Sequence, residues 1–492
     1  MFNLNTILSR IMGIEPVRRQ SIVSFISQIG ITFVGFLSTM YFAHAVGASV
    51  LGAYFLFMAY YGIIGMVTDG GFGGAAIKRI SEGEEQNEYL SAFFMVRTLF
   101  VVVVVIALIA SRSFFVDLDT SGAFIWLLIA LILSIFSGTV SYGVAGCGKM
   151  GIRGSCNFVG EISRILVQVV AIFLGFGVAG LAGGLVAGII VATLIEWRFL
   201  DLHFVRFGWR HIKSLSTFSF WLFLTSSGAM LYSYSDTVMI GYFLENASVG
   251  VYRVIFQFTS VAVLISTALV TTLWPRVSRW GKVGEIGFVE ESLTQAFSYS
   301  LLFAVPILVG GILLGDRLLY YFYGAEFAQG YPVLVILLFV QIIAIFQLFF
   351  LLYLSALDRQ KSAFKVTAVS ATANVILNFI LIPIIGIVGA AVATSVTLML
   401  NTVLGRQELA KIITIRVEHN SLLNIIKASS GMALFVMGYR LFVPLSNVWL
   451  TLVPVILGGA LYGILILKLD SKMYDELKAL LTQMNLSLPY LI

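Results

Sequence analysis

Charge is what this 492-residue chain has least of. Asp, Glu, Lys and Arg together make up 11% of it, against about 25% in an ordinary globular protein. Cysteine is scarcer still: Cys147 and Cys156 stand alone, which excludes a disulfide framework and a cysteine-rich metal site. The four histidines (His44, His203, His211, His419) are scattered, with no HExxH or other metal-ligand spacing. Gly70-Gly71-Phe72-Gly73-Gly74 lacks the Lys-Ser/Thr that a phosphate-cradling nucleotide loop requires, so the chain is not expected to burn ATP itself. No connection between apolar runs exceeds about 25 residues, which leaves no room for a soluble catalytic domain. A soluble enzyme, a disulfide-stapled domain and a disordered chain are excluded together.

What is abundant is apolar bulk. Hydrophobic residues make up 59% of the chain, with 40 Phe and 20 Tyr, and the mean hydropathy is +1.00. A helix needs roughly 20 apolar residues to cross the hydrocarbon. That length predicts an all-α polytopic membrane protein with 14 transmembrane helices, at 21–43, 50–68, 90–111, 123–146, 157–175, 178–197, 216–243, 248–274, 296–315, 331–356, 364–384, 387–404, 422–443 and 446–467. The first span follows Arg10, Arg18 and Arg19 and has no small-residue cleavage site, which is not the pattern of a cleaved signal peptide. Of the 30 Lys and Arg, 23 fall on the N-terminus, the even-numbered connections and the C-terminal tail. Only Arg112, Arg317 and Arg440 fall on the other side. This asymmetry predicts cytoplasmic termini in a cell membrane, and it makes the net charge of +6 a topology signal, with no nucleic-acid partner implied.

The chain also resembles itself. Ala48-Ser49-Val50-Leu51 leads into Gly52-Ala53-Tyr54, and 198 residues later Asn246-Ala247-Ser248-Val249 leads into Gly250-Val251-Tyr252. Gly177-Val178-Ala179-Gly180-Leu181-Ala182 matches Gly386-Ile387-Val388-Gly389-Ala390-Ala391 at an offset of 209. Six spans separate the matched elements, and an even number gives both repeats the same orientation. The pattern predicts two parallel six-helix lobes around a central cavity, which is a transporter architecture. The N-lobe is 1–205, the C-lobe 206–415, and 416–492 holds an extra two-helix hairpin and a cytoplasmic tail.

The stretch Tyr234-Ser235-Asp236-Thr237-Val238-Met239-Ile240-Gly241-Tyr242-Phe243, with Val249-Gly250-Val251-Tyr252 after it, resembles the seventh-to-eighth helix signature of the polysaccharide transporters. These form a branch of the multidrug/oligosaccharidyl-lipid/polysaccharide exporter superfamily. Thr68-Asp69-Gly70-Gly71-Phe72-Gly73 resembles the end of the family's second helix, Leu319 to Phe327 the connection before its tenth, and Asn374, Asn378, Ile382-Pro383 and Gly386 to Ala391 its eleventh and twelfth. The resemblance implies a flippase for polyprenyl-diphosphate-linked oligosaccharides of O-antigen, teichoic-acid or related type, working by alternating access. It further implies no cofactor, Na+ or H+ as candidate coupling ions, and membrane lipids and a glycan polymerase or glycosyltransferase as candidate partners. A cation-coupled multidrug or metabolite antiporter is the alternative within transport. A membrane enzyme acting on the same lipid carrier is the alternative outside it.

Ionisable groups inside spans cost at least about 2.5–3.5 kcal/mol on insertion scales, so each needs a reason. Arg97, Arg164 and Arg253 carry the forked, permanent charge that suits a diphosphate; snorkelling or pairing with a carboxylate is the alternative. For Arg164 that partner would be Glu161, three residues away on one face. Asp236, Glu161 and Asp69 are the candidate ion-coupling carboxylates, although Asp69 could equally cap a helix boundary. Asn374 and Asn378, spaced i, i+4, could bind sugar hydroxyls or bond across helices. No metal site is predicted.

Overall fold

The computed structural model describes residues 16–471, 473–475 and 478; Arg10 and Lys472, counted above for topology, lie outside them. Among the described residues there is no strand. The helices are α1 Pro16–Asp69, α2 Phe72–Ser81, α3 Gln86–Ala110, α4 Val116–Thr120, α5 Ala123–Gly146, α6 Met150–Phe173, α7 Gly177–Trp197 and α8 Trp209–Phe243. They continue as α9 Asn246–Thr259, α10 Leu264–Val283, α11 Ile286–Tyr323, α12 Ala325–Ala328, α13 Tyr331–Ala356, α14 Gln360–Leu409, α15 His419–Phe442 and α16 Val448–Leu469. A backbone in hydrocarbon must satisfy its own hydrogen bonds, and an apolar run does this by coiling. Each predicted span accordingly falls on helix. Eleven helical stretches among the described residues are long and apolar enough to cross a membrane.

Two of those stretches are too long to be single spans, and both break at glycine. In α1 the break is Gly47, with φ 74° and ψ 179°. The neighbouring α6 serves as a ruler for what happens there. Gly30 abuts Phe158, Gly35 approaches Glu161, and the Tyr54 hydroxyl then meets Arg164 and Gln168. A straight helix would carry Tyr54 about 28 Å past Gly35 at 1.5 Å per residue, yet its partners on α6 lie only one or two turns further on. The chain therefore doubles back at Gly47. In α14 the break is Ile385–Gly386, with φ 62° at the glycine, and Gly389 lies so close to Leu381 that a Cβ would stand 2.6 Å from its carbonyl carbon. The short turns predicted between 157–175 and 178–197 and between 364–384 and 387–404 are both present.

The repeat is visible in the backbone. Gly177 and Gly386, equivalent at the offset of 209, both have positive φ where a new helix starts, a conformation that a Cβ disfavours. The other pair, Gly52 and Gly250, touch each other. A Cβ on Gly52 would collide with the carbonyl oxygen of Asn246 and lie 2.7 Å from the amide of Gly250, while a Cβ on Gly250 would collide with the carbonyl oxygen of Ala48. Ala48 and Asn246 are themselves equivalent at the offset of 198, so the contact between these two segments is reciprocal.

Packing divides the chain into two units, 1–250 and 251–492. In the first, α8 lies against α1, α2 and α3. In the second, Phe297 of α11 packs among Phe346, Phe349 and Phe350 of α13. The extra helices α15 and α16 join α11 there: the Tyr462 hydroxyl donates to the Leu302 carbonyl at 2.7 Å, and Arg440 pairs with Asp316 at 2.7 Å. Arg276, Arg279 and Lys282 lie on the last turns of α10, and Glu290 and Glu291 on the first turns of α11.

Candidate functional site

Five polar residues of α6, Arg153, Asn157, Glu161, Arg164 and Gln168, follow one another at steps of four, four, three and four. That spacing puts them on one face of a helix whose other residues are mostly apolar. The face opens on a cavity of ≈ 360 Å³ inside the first unit, walled by α3, α5, α6 and α7 with Ile31 of α1 at its edge. Glycine lets α7 come close enough to form the wall: at the α6–α7 crossing a Cβ on Gly188 would lie 2.7 Å from the Gly160 carbonyl, and one on Gly160 would lie 2.9 Å from the Gly188 carbonyl.

Arg97 enters this cavity from α3 and is 7% exposed. Its Nη1 donates to Asp69 Oδ1 at 2.7 Å and its Nε to the Ser134 carbonyl at 2.8 Å. The guanidinium lies 5.8 Å from the ring of Phe93 and 5.9 Å from that of Tyr142. It fits because residue 138 is glycine, where a Cβ would stand 2.6 Å from Arg97 Cζ. Asp69, the last residue of α1, also accepts from the Gly73 amide at 3.3 Å and from the Tyr142 hydroxyl. It thus caps the start of α2 while neutralising Arg97.

Arg164 pairs with Glu161 on its own helix and donates to the Tyr54 hydroxyl at 3.2 Å. Gln168 reaches the same hydroxyl at 3.0 Å and the Leu181 carbonyl at 2.7 Å. Arg153, placed by the sequence in a connection, sits in the first turn of α6 with its guanidinium 5.3 Å from the Tyr142 ring. Across the cavity stands Glu196 of α7, 2% exposed. Three arginines and three carboxylates therefore meet here, and their formal charges cancel.

Of the residues singled out from sequence, Arg97, Glu161 and Arg164 line the cavity and Asp69 supports it. Asp236 is buried on α8 beside Ser235 and Thr237, away from the lining. Arg253, half-buried on α9, lies 5.5 Å from the Phe256 ring. The Asn374 amide donates to Thr397 Oγ1 at 3.3 Å, a bond that clips the two arms of the α14 hairpin together, and Asn378 donates to Asn374 at 3.1 Å within the first arm. Arg153, Asn157, Tyr142 and Glu196 were missed. For the first two the signal was the polar stripe; Tyr142 and Glu196 carry no pattern of their own. No group of three metal-ligating side chains occurs among the described residues.

The chain is 28% identical over 444 residues to the probable low-salt glycan biosynthesis flippase Agl15 of Haloferax volcanii, covering 90% of this chain and 94% of that protein. It is 26% identical over 478 residues to the probable flippase AglR of the same organism, covering 94% and 98%. Among solved structures it resembles the lipid II flippase MurJ in an inward closed conformation, with TM-score 0.76, 19% identity and coverage of 93% and 99%. It also resembles an inward-facing multidrug resistance MATE family transporter, with TM-score 0.63, 12% identity and coverage of 77% and 95%. These two likenesses establish the fold. The family model described as polysaccharide biosynthesis protein matches residues 17–280, more than half of the sequence, and the chain belongs to that family.

Proposed function

We propose that this protein is a flippase that carries a polyprenyl-diphosphate-linked oligosaccharide from the cytoplasmic to the external leaflet for surface glycan assembly. The observation that carries the reading is the arginine-lined cavity within a bundle of membrane-length helices. Arginine at bilayer depth is costly, and a cavity that gathers three of them suits a ligand with two phosphate charges. The similar proteins named flippases, aligned over nine-tenths of the chain, support a transporter rather than a catalytic enzyme.

On this reading the fourteen spans run with both termini cytoplasmic, and lobes 1–205 and 206–415 rock about the substrate. Arg97, Arg164 and Arg253 face the diphosphate in turn, Asn374 and Asn378 serve the glycan side, and Asp69, Glu161 and Asp236 are the candidate carboxylates for a coupling ion, the first two only on parting from their arginine partners. The antiporter alternative has the fold likeness to a MATE transporter in its favour, but a cationic drug would find two of the cavity's three carboxylates already paired with arginines. The test is reconstitution in liposomes with a fluorescent polyprenyl-diphosphate oligosaccharide and an external quencher. Protein-dependent exchange of the lipid is expected. Transport of cationic dyes in its place would overturn the reading.

A further inference from the structure

Glu196 is the carboxylate that the pairing in the cavity leaves incomplete. Asp69 is held by Arg97, and Glu161 by Arg164. Glu196 receives the Ser141 hydroxyl, but its Oε1 is buried with no hydrogen-bond partner among the described residues. No ion pair within 4.0 Å joins it to Arg153, whose guanidinium rests on the Tyr142 ring instead. A buried acceptor left open costs about 1–3 kcal/mol, more when charged. Glu196 also stands in the last turn of α7, where the carbonyl ends of the helix point and an anion is disfavoured. An arrangement so expensive for a resting anion calls for something that fills the open oxygen.

The surroundings choose between a metal ion and a proton. The ionisable groups facing this part of the cavity are Tyr142 from α5, Arg97 from α3, and Arg153, Cys156, Glu161 and Arg164 from α6, while α1 contributes apolar Ile31. A sodium or calcium ion needs several oxygen ligands and would meet three guanidinium cations. A proton needs one oxygen and no further ligand.

We propose that Glu196 is a proton-binding site whose occupancy is linked to binding of the anionic headgroup in the cavity. A proton from bulk water bonds to Oε1, the carboxylate becomes neutral, and the charge that offset Arg153 disappears. The summed formal charge of the cavity then rises from zero to plus one, so proton and anionic headgroup bind with mutual assistance. This rests on the reading above that the cavity receives a diphosphate-linked headgroup.

The test is titration calorimetry on the protein in nanodiscs with a short-chain prenyl-diphospho-N-acetylglucosamine. This is a diphosphate diester whose charges do not change near neutral pH. Running it in two buffers of different ionisation heat counts the protons taken up. Wild type should take up a fraction approaching one proton per probe bound, with affinity falling up to tenfold per pH unit above the midpoint; Glu196→Gln should take up none and bind independently of pH. Equal uptake in both proteins, or none in a wild type that binds the probe, overturns the proposal. Should the probe not bind at all, the flippase reading is what has failed, and infrared spectroscopy of the ligand-free protein decides the proton site. A deuterium-sensitive carbonyl band of a protonated carboxyl, rising as pH falls and lost in Glu196→Gln, supports it; its absence from wild type overturns it, whether or not the variant folds.

Discussion

The Arg97–Asp69 pair offers the most direct measurement of how this membrane-embedded cavity is held together. Its nitrogen–oxygen distance is 2.7 Å, with the two side chains 8% and 19% exposed. Two unit charges about 4 Å apart attract by about 4 kcal/mol at an effective dielectric of about 20, while removing one partner of a buried pair destabilises by about 3–5 kcal/mol because the other charge is stranded. Asp69 reaches some solvent, so the lower end applies. Asp69→Asn keeps one acceptor oxygen for the Gly73 amide but strands Arg97, and Arg97→Met keeps the volume but strands Asp69; each should cost about 3 kcal/mol. The double variant should cost much less than the sum, with a coupling energy of about 2–3 kcal/mol. Reversible unfolding in mixed micelles of increasing dodecyl sulfate content would measure all four corners of the cycle. Additivity within about 0.5 kcal/mol would refute the pairing as a structural tie. The double variant also isolates the ligand role, because it keeps the fold without the cation: undiminished headgroup flux at equal expression would remove Arg97 from the substrate site.

Three further outcomes follow from close approaches and burial. Gly138→Ala places a methyl 2.6 Å from Arg97 Cζ and should cost about 1–3 kcal/mol as an overpacked contact; in the Arg97→Met/Asp69→Asn background, which lacks the guanidinium, the same substitution should lower the melting temperature far less, and an equal loss would break the link between the two residues. Gly52→Ala and Gly250→Ala each drive a methyl into the backbone of the equivalent segment, whereas Gly62→Ala meets only the Tyr234 and Met230 side chains. The first two should therefore lower the monodisperse yield far more than the third, and by similar amounts. Burial pushes the Cys147 thiol up, with Lys149 drawing it back less strongly, so its maleimide labelling should keep accelerating with pH beyond the ordinary thiol range. A plateau at or below that range would contradict the burial.

Hydropathy made the helices legible because an apolar run in a bilayer has one good way to satisfy its backbone. The repeat was legible from matched small residues instead, since Gly52 and Gly250 are fixed by a backbone contact that admits no side chain. The cavity was harder to read for a different reason. Arg97 and Asp69 are 28 residues apart on separate helices, and only packing brings a candidate phosphate ligand onto a candidate ion-coupling carboxylate. Arg153 was assigned by position, as one more positive charge in a connection, when its helical phase with Asn157, Glu161, Arg164 and Gln168 placed it on the cavity face. Glu196 stands two residues from Arg198 and reads as the edge of a span; nothing short of the fold reveals that it points inward.

The cancelled charges of the cavity matter for transport as much as for folding. An arginine left bare at this depth would bind a diphosphate tightly, and it would also make the empty protein costly to insert and slow to let go. On the flippase reading proposed above, with each guanidinium already beside a carboxylate or an aromatic face, an arriving headgroup would exchange one set of counter-charges for another, and its affinity would be the difference between two large terms. A small bias then decides occupancy: loss of a single carboxylate charge, or a rearrangement that parts Arg164 from Glu161, shifts the balance toward the ligand, and its reversal releases it. A carrier needs a site that both fills and empties in every cycle, and near-balanced pairs supply that where an unopposed cationic pocket would not.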